Sequence, residues 1–217
     1  EMTSWMRAHH PNAVLVPESD EAQTPGVGER GRFDSDFALV IHREHSALLN
    51  NGGAGILPWQ DGPEPCFFDA AADPEAGVAA LGTFLRLWQE RQDASGGPRL
   101  AVLPSSDHDF SRLACGGRDG DELRAILTFL LTWGSIPSIY YGDEIGLRYL
   151  PGMPDKEGSI WDPRFNRAGC RTPMQWDRGL PNDGFSTADP SGLYLPQDPA
   201  DDRPAVEQQR NDPASLL

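Results

Sequence analysis

Four short apolar runs constrain this chain more than any other feature: Ala13 to Val16, Phe33 to Ile41 with its core at Phe37 to Ile41, Leu100 to Leu103, and Ile136 to Tyr141. A strand with one wet face alternates polar and apolar residues, whereas a near-continuous apolar run of this length reads as a strand covered on both faces. Helical spacing fills the intervals between the later runs. Val78, Leu81, Leu85 and Trp88 mark a helix from Glu75 to Gln92, which Gly96-Gly97-Pro98 closes. Leu123, Ile126, Leu127, Leu130 and Leu131 mark a second from Asp121 to Trp133. Glu1 to His10 has Met2, Trp5 and Met6 on one face and is stopped by Pro11-Asn12, so the chain is expected to open within a helix. Strands of this kind alternating with helices imply an α/β fold with a parallel sheet.

Carboxylates follow three of the four runs: Glu18, Asp107 with Asp109, and Asp143 with Glu144. In α/β sheets, ligands bind beyond the carboxyl ends of the strands, where side chains converge on one pocket. The densest cluster is Asp107-His108-Asp109 with Arg112 three residues on. Carboxylate, imidazole and guanidinium groups just past a buried strand suit a reaction site; the plainer alternative is a polar loop capping the next helix. Asp143 and Glu144 are expected to pair with Arg148 or Arg171, or to serve a substrate loop. Between Arg148 and Asp202 periodicity disappears, and Trp161, Phe165, Trp176, Phe185 and Tyr194 are expected to pin a long ordered loop.

Composition narrows the ligand class. Asp and Glu number 33 against 18 Lys and Arg, a net charge of −15, and no basic cluster interrupts the excess. That argues against nucleic acid and against anionic substrates, while a neutral sugar is not repelled. Cys66, Cys115 and Cys170 are widely spaced and odd in number, which leaves either idle thiols in a reducing compartment or a single disulfide. No apolar run approaches the ~20 residues of a spanning helix, and no signal peptide is recognisable, so a cytoplasmic location away from membranes is expected. His42 and His45 stand near Asp34 and Asp36 without a third ligand at metal spacing, so no metal site is expected. Gly26-Val27-Gly28-Glu29 lacks the pattern of a phosphate loop.

Asp107-His108-Asp109-Phe110-Ser111-Arg112 resembles the Asn-His-Asp-x-x-Arg signature after the seventh strand of the α-amylase family, glycoside hydrolase family 13. Ile139-Tyr140-Tyr141-Gly142-Asp143-Glu144-Ile145-Gly146 resembles that family's eighth strand and its exit. Arg171-Thr172-Pro173-Met174-Gln175-Trp176-Asp177 with Gly184-Phe185-Ser186 is similar to a loop of its α-glucosidase, oligo-1,6-glucosidase and trehalose synthase branch. Tyr194-Leu195-Pro196 and Val206-Glu207-Gln208-Gln209 extend the likeness toward the eighth helix.

The resemblance implies a (β/α)8 TIM barrel of which residues 1–217 hold strands five to eight, with 148–203 as a long irregular loop after the last strand. It implies cleavage or transfer of α-glucosidic bonds of short oligosaccharides by the retaining mechanism, which sets two carboxyl groups about 5 to 5.5 Å apart across the bond. Glu18 resembles the general acid/base, whose carboxyl must stay protonated near neutral pH. Asp109 resembles the carboxylate that stabilises the transition state, His108 and Arg171 resemble substrate-binding residues, and Asp107 stands at a substrate-binding position where Asn is usual. Arg112 is expected to orient a carboxylate. No Arg-x-Asp nucleophile motif occurs, so the nucleophile is expected just upstream of residue 1 and the chain is expected to be inactive by itself. No cofactor is implied; calcium is expected only in the N-terminal half of such a barrel, outside this chain. Water as acceptor would give an α-glucosidase, and a retained glucose a trehalose synthase-type transglucosidase. A non-catalytic barrel relative that serves as a binding or partner subunit, like the glucosidase-like heavy chains of amino-acid transporters, is the competing class. The oligomeric state is not legible.

Overall fold

The structure is a computed structural model that describes residues 2–16, 49, 67–68, 73–94, 102–108, 111–115, 118, 120–156 and 167–217. Its organising unit is strand, helix, strand: β1 (Val102–Pro104), α3 (Gly120–Thr132) and β2 (Ile136–Ser138), preceded by α1 (Met2–His9) and α2 (Pro74–Ala94). The two strands are parallel, with Val102 opposite Ile136 and Pro104 opposite Ser138. Ser105 N–H donates to Ser138 O at 2.8 Å and prolongs the ladder past β1. A further parallel bridge joins Ala114 to Arg148. A parallel pair needs a crossover, and α3 is that crossover.

Local chemistry explains both long helices. Asp73 precedes α2 and its carboxylate accepts the Glu75 N–H at 3.1 Å, with Pro74 at the first helical position, where its missing N–H costs nothing. Arg86 to Glu90 at 2.8 Å and Gln89 to Asp93 at 2.9 Å brace its wet face. In α3, Asp121 and Glu122 occupy the first turn, where the helix dipole favours negative charge. The two helices close the main core: Leu49, Phe84, Leu103, Leu113, Leu123, Ile126 and Leu130 are buried together. Phe84, Phe129, Trp88 and Trp133 stack beside them, with ring centroids 5.1 to 6.2 Å apart.

The helices lie within two residues of their expected limits, but their buried stripes are narrower. Val78, Leu85 and Leu131 are exposed, and Phe84 is the residue of α2 that enters the core. A helix packed on one neighbour buries positions three and four apart and leaves the flanks of its apolar face wet. Met2 and Trp5 of α1 are likewise exposed, Trp5 stacking on His9 at 4.5 Å. Residues 13–16, expected to form a buried strand, are irregular, with Val14 exposed. A strand exists only by pairing, and no described strand lies beside this run. The expected strand from Phe33 to Ile41, the acid Glu18, Asp109, Trp161 and Phe165 lie outside the described residues.

Beyond β2 the chain makes a tight turn. Gly142 has φ 87°, Asp143–Ile145 form a single 3-10 turn, and Leu147 N–H returns to Gly142 O at 2.8 Å. From 167 to 205 there is no strand, only short 3-10 turns, and polar anchors hold the path. Arg148 bonds Asp202 at 2.9 Å and Arg203 bonds Asp183. Buried Gln175 donates to Pro204 O. The described aromatic residues expected to pin this segment do not do so, since Trp176, Phe185 and Tyr194 are at least half exposed. α4 (Val206–Gln209) then docks back, with Gln209 Nε2 donating to Ile145 O at 2.8 Å.

Candidate active site at the carboxyl ends of the strands

β1 delivers Ser105, Ser106, Asp107 and His108 in succession, and β2 delivers Tyr140 to Glu144 beside them. Asp143 lies fully buried between the two. Its Oδ2 accepts the Ser105 hydroxyl at 2.6 Å and the Ser106 hydroxyl at 2.5 Å. Ser105 Oγ in turn accepts the Tyr140 N–H at 2.9 Å. Arg112, also fully buried, donates from Nη1 to Tyr141 O at 2.5 Å and faces Asp143 Oδ1 at 3.4 Å. Its guanidinium carbon lies 4.8 Å from the centre of the Tyr140 ring and 4.5 Å from that of Tyr141, a cation–π contact with each. Burial pushes the Asp143 carboxyl above its ordinary range, while Arg112 and the two serine hydroxyls pull it back. Burial likewise raises the Tyr140 phenol, which stays neutral.

The outer end of the 105–108 bend is held from another segment. Arg171 Nε donates to the carbonyl of His108 at 2.8 Å, and Cys170 Sγ lies 3.3 Å from that oxygen and 2.9 Å from Arg167 O. Burial pushes the Cys170 thiol up to about 12, against the pull of Arg112 and Arg171, so at neutral pH it is a thiol and a weak donor. Tyr141 completes the link by donating its hydroxyl to Thr172 O at 2.8 Å. His108 is exposed and Asp107 half-buried, so both are open to a ligand that settles on the strand ends.

The structure thus brings Asp107, His108 and Arg171 together and leaves Glu18 and Asp109 outside the described residues. It corrects the expected partner of Asp143: Arg112 pairs with it, whereas Arg148 bonds Asp202 at 2.9 Å and faces Asp198 at 3.5 Å. Arg112 does orient a carboxylate. Ser105 and Ser106 belong to no motif in the sequence, and Cys170 reads there only as one of three widely spaced cysteines. The nearest signal for the serines was two small hydroxyls at a strand end, which only a known partner turns into an anchor. A separate cavity of about 660 Å³ lies between the start of α3 and the 202–216 segment. Its lining includes Arg124, Arg148 and Arg203, which bond Asp121, Asp202 and Asp183, and it takes in none of Asp107, His108 and Arg171. Among the described residues, no group of three or more His, Cys, Asp or Glu side chains could hold a metal ion, and no helix is long and apolar enough to cross a membrane.

A parallel strand–helix–strand unit with polar residues gathered at its strand ends is the repeating element of α/β enzyme barrels. The chain belongs to the α-amylase family: residues 76–217 match the alpha-amylase catalytic domain, and the unit is part of that family's (β/α)8 barrel. It is 36% identical over 133 residues to the trehalose synthase/amylase TreS of Mycobacterium tuberculosis, covering 58% of this chain and 18% of that protein. It is 36% identical over 122 residues to a probable alpha-glucosidase of Rhizobium meliloti, covering 52% and 21%. A trehalose synthase of Thermus thermophilus is 38% identical over 109 residues, covering 46% and 10%. The chain therefore spans only a fraction, from 10% to 21%, of the length of these relatives.

Proposed function

We propose that this chain carries the half of a retaining α-glucosidic barrel that runs from strand five to strand eight, with the irregular 13–16 run at the place of strand five, β1 and β2 as strands seven and eight, and 148–203 as the long loop after the last. The reading assigns Asp107, His108 and Arg171 to substrate binding, Asp109 to transition-state stabilisation and Glu18 to proton donation. The observation that carries it is the join between Arg171 and the His108 carbonyl at 2.8 Å, which ties the signature after β1 to the loop motif more than sixty residues later. An imidazole and a guanidinium held at one strand end can donate to the hydroxyls of a single glucose unit. A neutral short oligosaccharide suits a chain of net charge −15 better than nucleic acid or an acidic surface. The burial of Cys115 and Cys170 agrees with idle thiols in a reducing, cytoplasmic setting. The reading needs no cofactor and no calcium within this chain.

The reaction divides into two steps. Glu18 as acid protonates the leaving oxygen while a nucleophilic Asp bonds the anomeric carbon to form the glucosyl-enzyme; Glu18, now a carboxylate, then takes the proton of a water or sugar hydroxyl that attacks the same carbon and breaks its bond to Asp. The nucleophile is assigned to a segment outside this chain, so the chain alone turns over no substrate. Relatives named trehalose synthase and 4-alpha-glucanotransferase favour transfer to a sugar acceptor as a second outcome beside hydrolysis. Titration calorimetry with maltotriose tests the reading. Binding that is lost in His108→Ala and in Arg171→Ala supports it. An unaltered isotherm in both variants, or no binding of any α-glucoside by the folded chain, overturns it.

A further inference from the structure

We propose that Asp143 is the positioning residue of this site: from inside the protein it sets the 105–108 turn, and so the place at which the His108 imidazole meets a sugar. The inference rests on the α-glucosidic reading above and adds to it a residue that touches no substrate.

The turn has two anchors from two different segments. At its outer end Arg171 and Cys170 take the carbonyl of His108. At its inner end the hydroxyls of Ser105 and Ser106, three and two residues before His108, converge on one oxygen of Asp143 at 2.6 and 2.5 Å. All three inner groups are buried, Ser105 and Asp143 at 0% exposure and Ser106 at 2%, so water does not compete for these bonds. The support under Asp143 is equally fixed. It sits between Gly142 at φ 87° and Gly146 at φ 71°, and its other oxygen faces Arg112, which the Tyr140 and Tyr141 rings flank. Few rotamers remain open to it.

A carboxylate suits the place for a reason of hydrogen-bond count. One oxygen accepts two hydroxyl protons and the other faces a guanidinium, so every neighbour is a donor. An amide of the same shape must turn its NH₂ toward either the serine pair or Arg112. Ser105 Oγ already accepts the Tyr140 N–H, which limits its capacity to take another. Asparagine at this position therefore loosens the turn while keeping the volume, and a misplacement well below an ångström is costly for an oriented donor.

Asp143→Asn and, separately, Ser106→Ala test the assignment, because the second leaves the Asp143–Arg112 pair intact. The readouts are the thermal midpoint, the His108 ring resonances with their pH titration, assigned through His108→Gln, and the dissociation constant for maltotriose. Both variants are expected to fold, to move the His108 signals, and to weaken maltotriose binding on the order of tenfold, the scale of one charge-assisted hydrogen bond. Unmoved His108 signals in folded Ser106→Ala and Asp143→Asn overturn the assignment, as does unchanged affinity in both. Should Asp143→Asn fail to fold, Ser106→Ala decides alone. Failure of the wild-type chain to bind maltotriose refutes the α-glucosidic reading instead, and the resonances still decide whether Asp143 sets the turn.

Discussion

Arg203 grips Asp183 with two parallel bonds, Nε to Oδ2 at 2.7 Å and Nη2 to Oδ1 at 2.6 Å. Asp183 is nearly inaccessible and, with Asn182, holds a left-handed backbone at φ 51° and 48°, a conformation that costs a side-chain-bearing residue free energy. Its carbonyl also accepts the N–H groups of Trp176 and Asp177. The ion pair therefore fixes a strained corner on which the whole 176–186 loop is folded. Arg203→Ala leaves a buried carboxylate unpaired and should cost about 3 kcal/mol. Arg203→Lys keeps the charge but not the fork and should recover only part of that loss. Urea unfolding of the two variants checks this, and equal stability of Lys and Arg at 203 would show that charge alone suffices.

The loop should tolerate loss of an aromatic ring better than loss of a methionine. Trp176 is half exposed, whereas Met174, two residues earlier, packs with Ile145 and Leu147 at 7% exposure. Met174→Ala is expected to cost about 2 to 4 kcal/mol by opening a cavity, and Trp176→Ala less than about 1 kcal/mol. Thermal unfolding of both variants orders them. The reverse order would mean that the indole, not the polar anchors, holds the loop.

Alkali should unfold the chain through Cys170 and Tyr149. Burial pushes both groups up to about 12, from ordinary values of 9.0 and 10.0. A folded value above the unfolded one means that the fold prefers the protonated form; this contribution is complete below pH 9 and is lost as pH rises toward 12. The thermal midpoint of wild type should fall across that window, and Cys170→Ala should flatten the decline. A parallel decline in the variant would assign it to other groups.

Gly142→Ala should be damaging for two separable reasons. The residue has φ 87°, and an added Cβ would lie 2.6 Å from Leu147 Cδ2. Backbone strain contributes about 1 to 2 kcal/mol. The steric part should be relieved only in part when Leu147 is shortened to Ala in the same chain, because the Leu147 Cβ, 2.8 Å from the added Cβ, remains. Non-additive thermal midpoints in the double variant are the expected sign of that clash.

Helices were legible because they are local. The apolar spacing from Val78 to Trp88 and the stop at Gly96-Gly97-Pro98 locate α2 from neighbouring residues alone, and the expected limits of 75 and 92 compare with Pro74–Ala94. The run from Leu100 to Leu103 and that from Ile136 to Tyr141 announced a parallel pair, which β1 and β2 form over three residues each. What could not be read is which face turns inward. Leu123, Ile126 and Leu130 are buried as the spacing of α3 implies, but Leu131 beside them is exposed, and in α2 Phe84 rather than Leu85 enters the core, a choice that the packed neighbours make. The run at 13–16 failed for the same reason in stronger form, since strand structure is a property of two segments.

Of the site, residue types and order were legible and pairings were not. Asp107, His108 and Arg171 are legible as members of motifs, and Arg171 Nε donates to the His108 carbonyl at 2.8 Å. For Asp143 the sequence offers Arg148 and Arg171, both later in the chain. Its true partner, Arg112, lies thirty-one positions earlier and is brought to it by the parallel pairing of the strands. Sequence distance ranks candidate ion pairs poorly wherever a sheet intervenes. Bulk does not by itself imply burial: Trp176, Phe185 and Tyr194 are exposed, and the anchoring there is ionic and through backbone carbonyls.

The parallel register also bears on the order in which the molecule acquires its shape. Val102 meets Ile136 only after the chain has travelled out through α3 and back, so this pairing closes a large loop and gains little until the helix has shortened the path. Helix α3, whose first turn is already favoured by Asp121 and Glu122, should therefore form early and the sheet late. The serine anchors and the Arg112 pair exist only once β2 lies beside β1. The strand-end cluster is accordingly among the last parts of the chain to assemble, and any slowing of α3 formation should delay it in step.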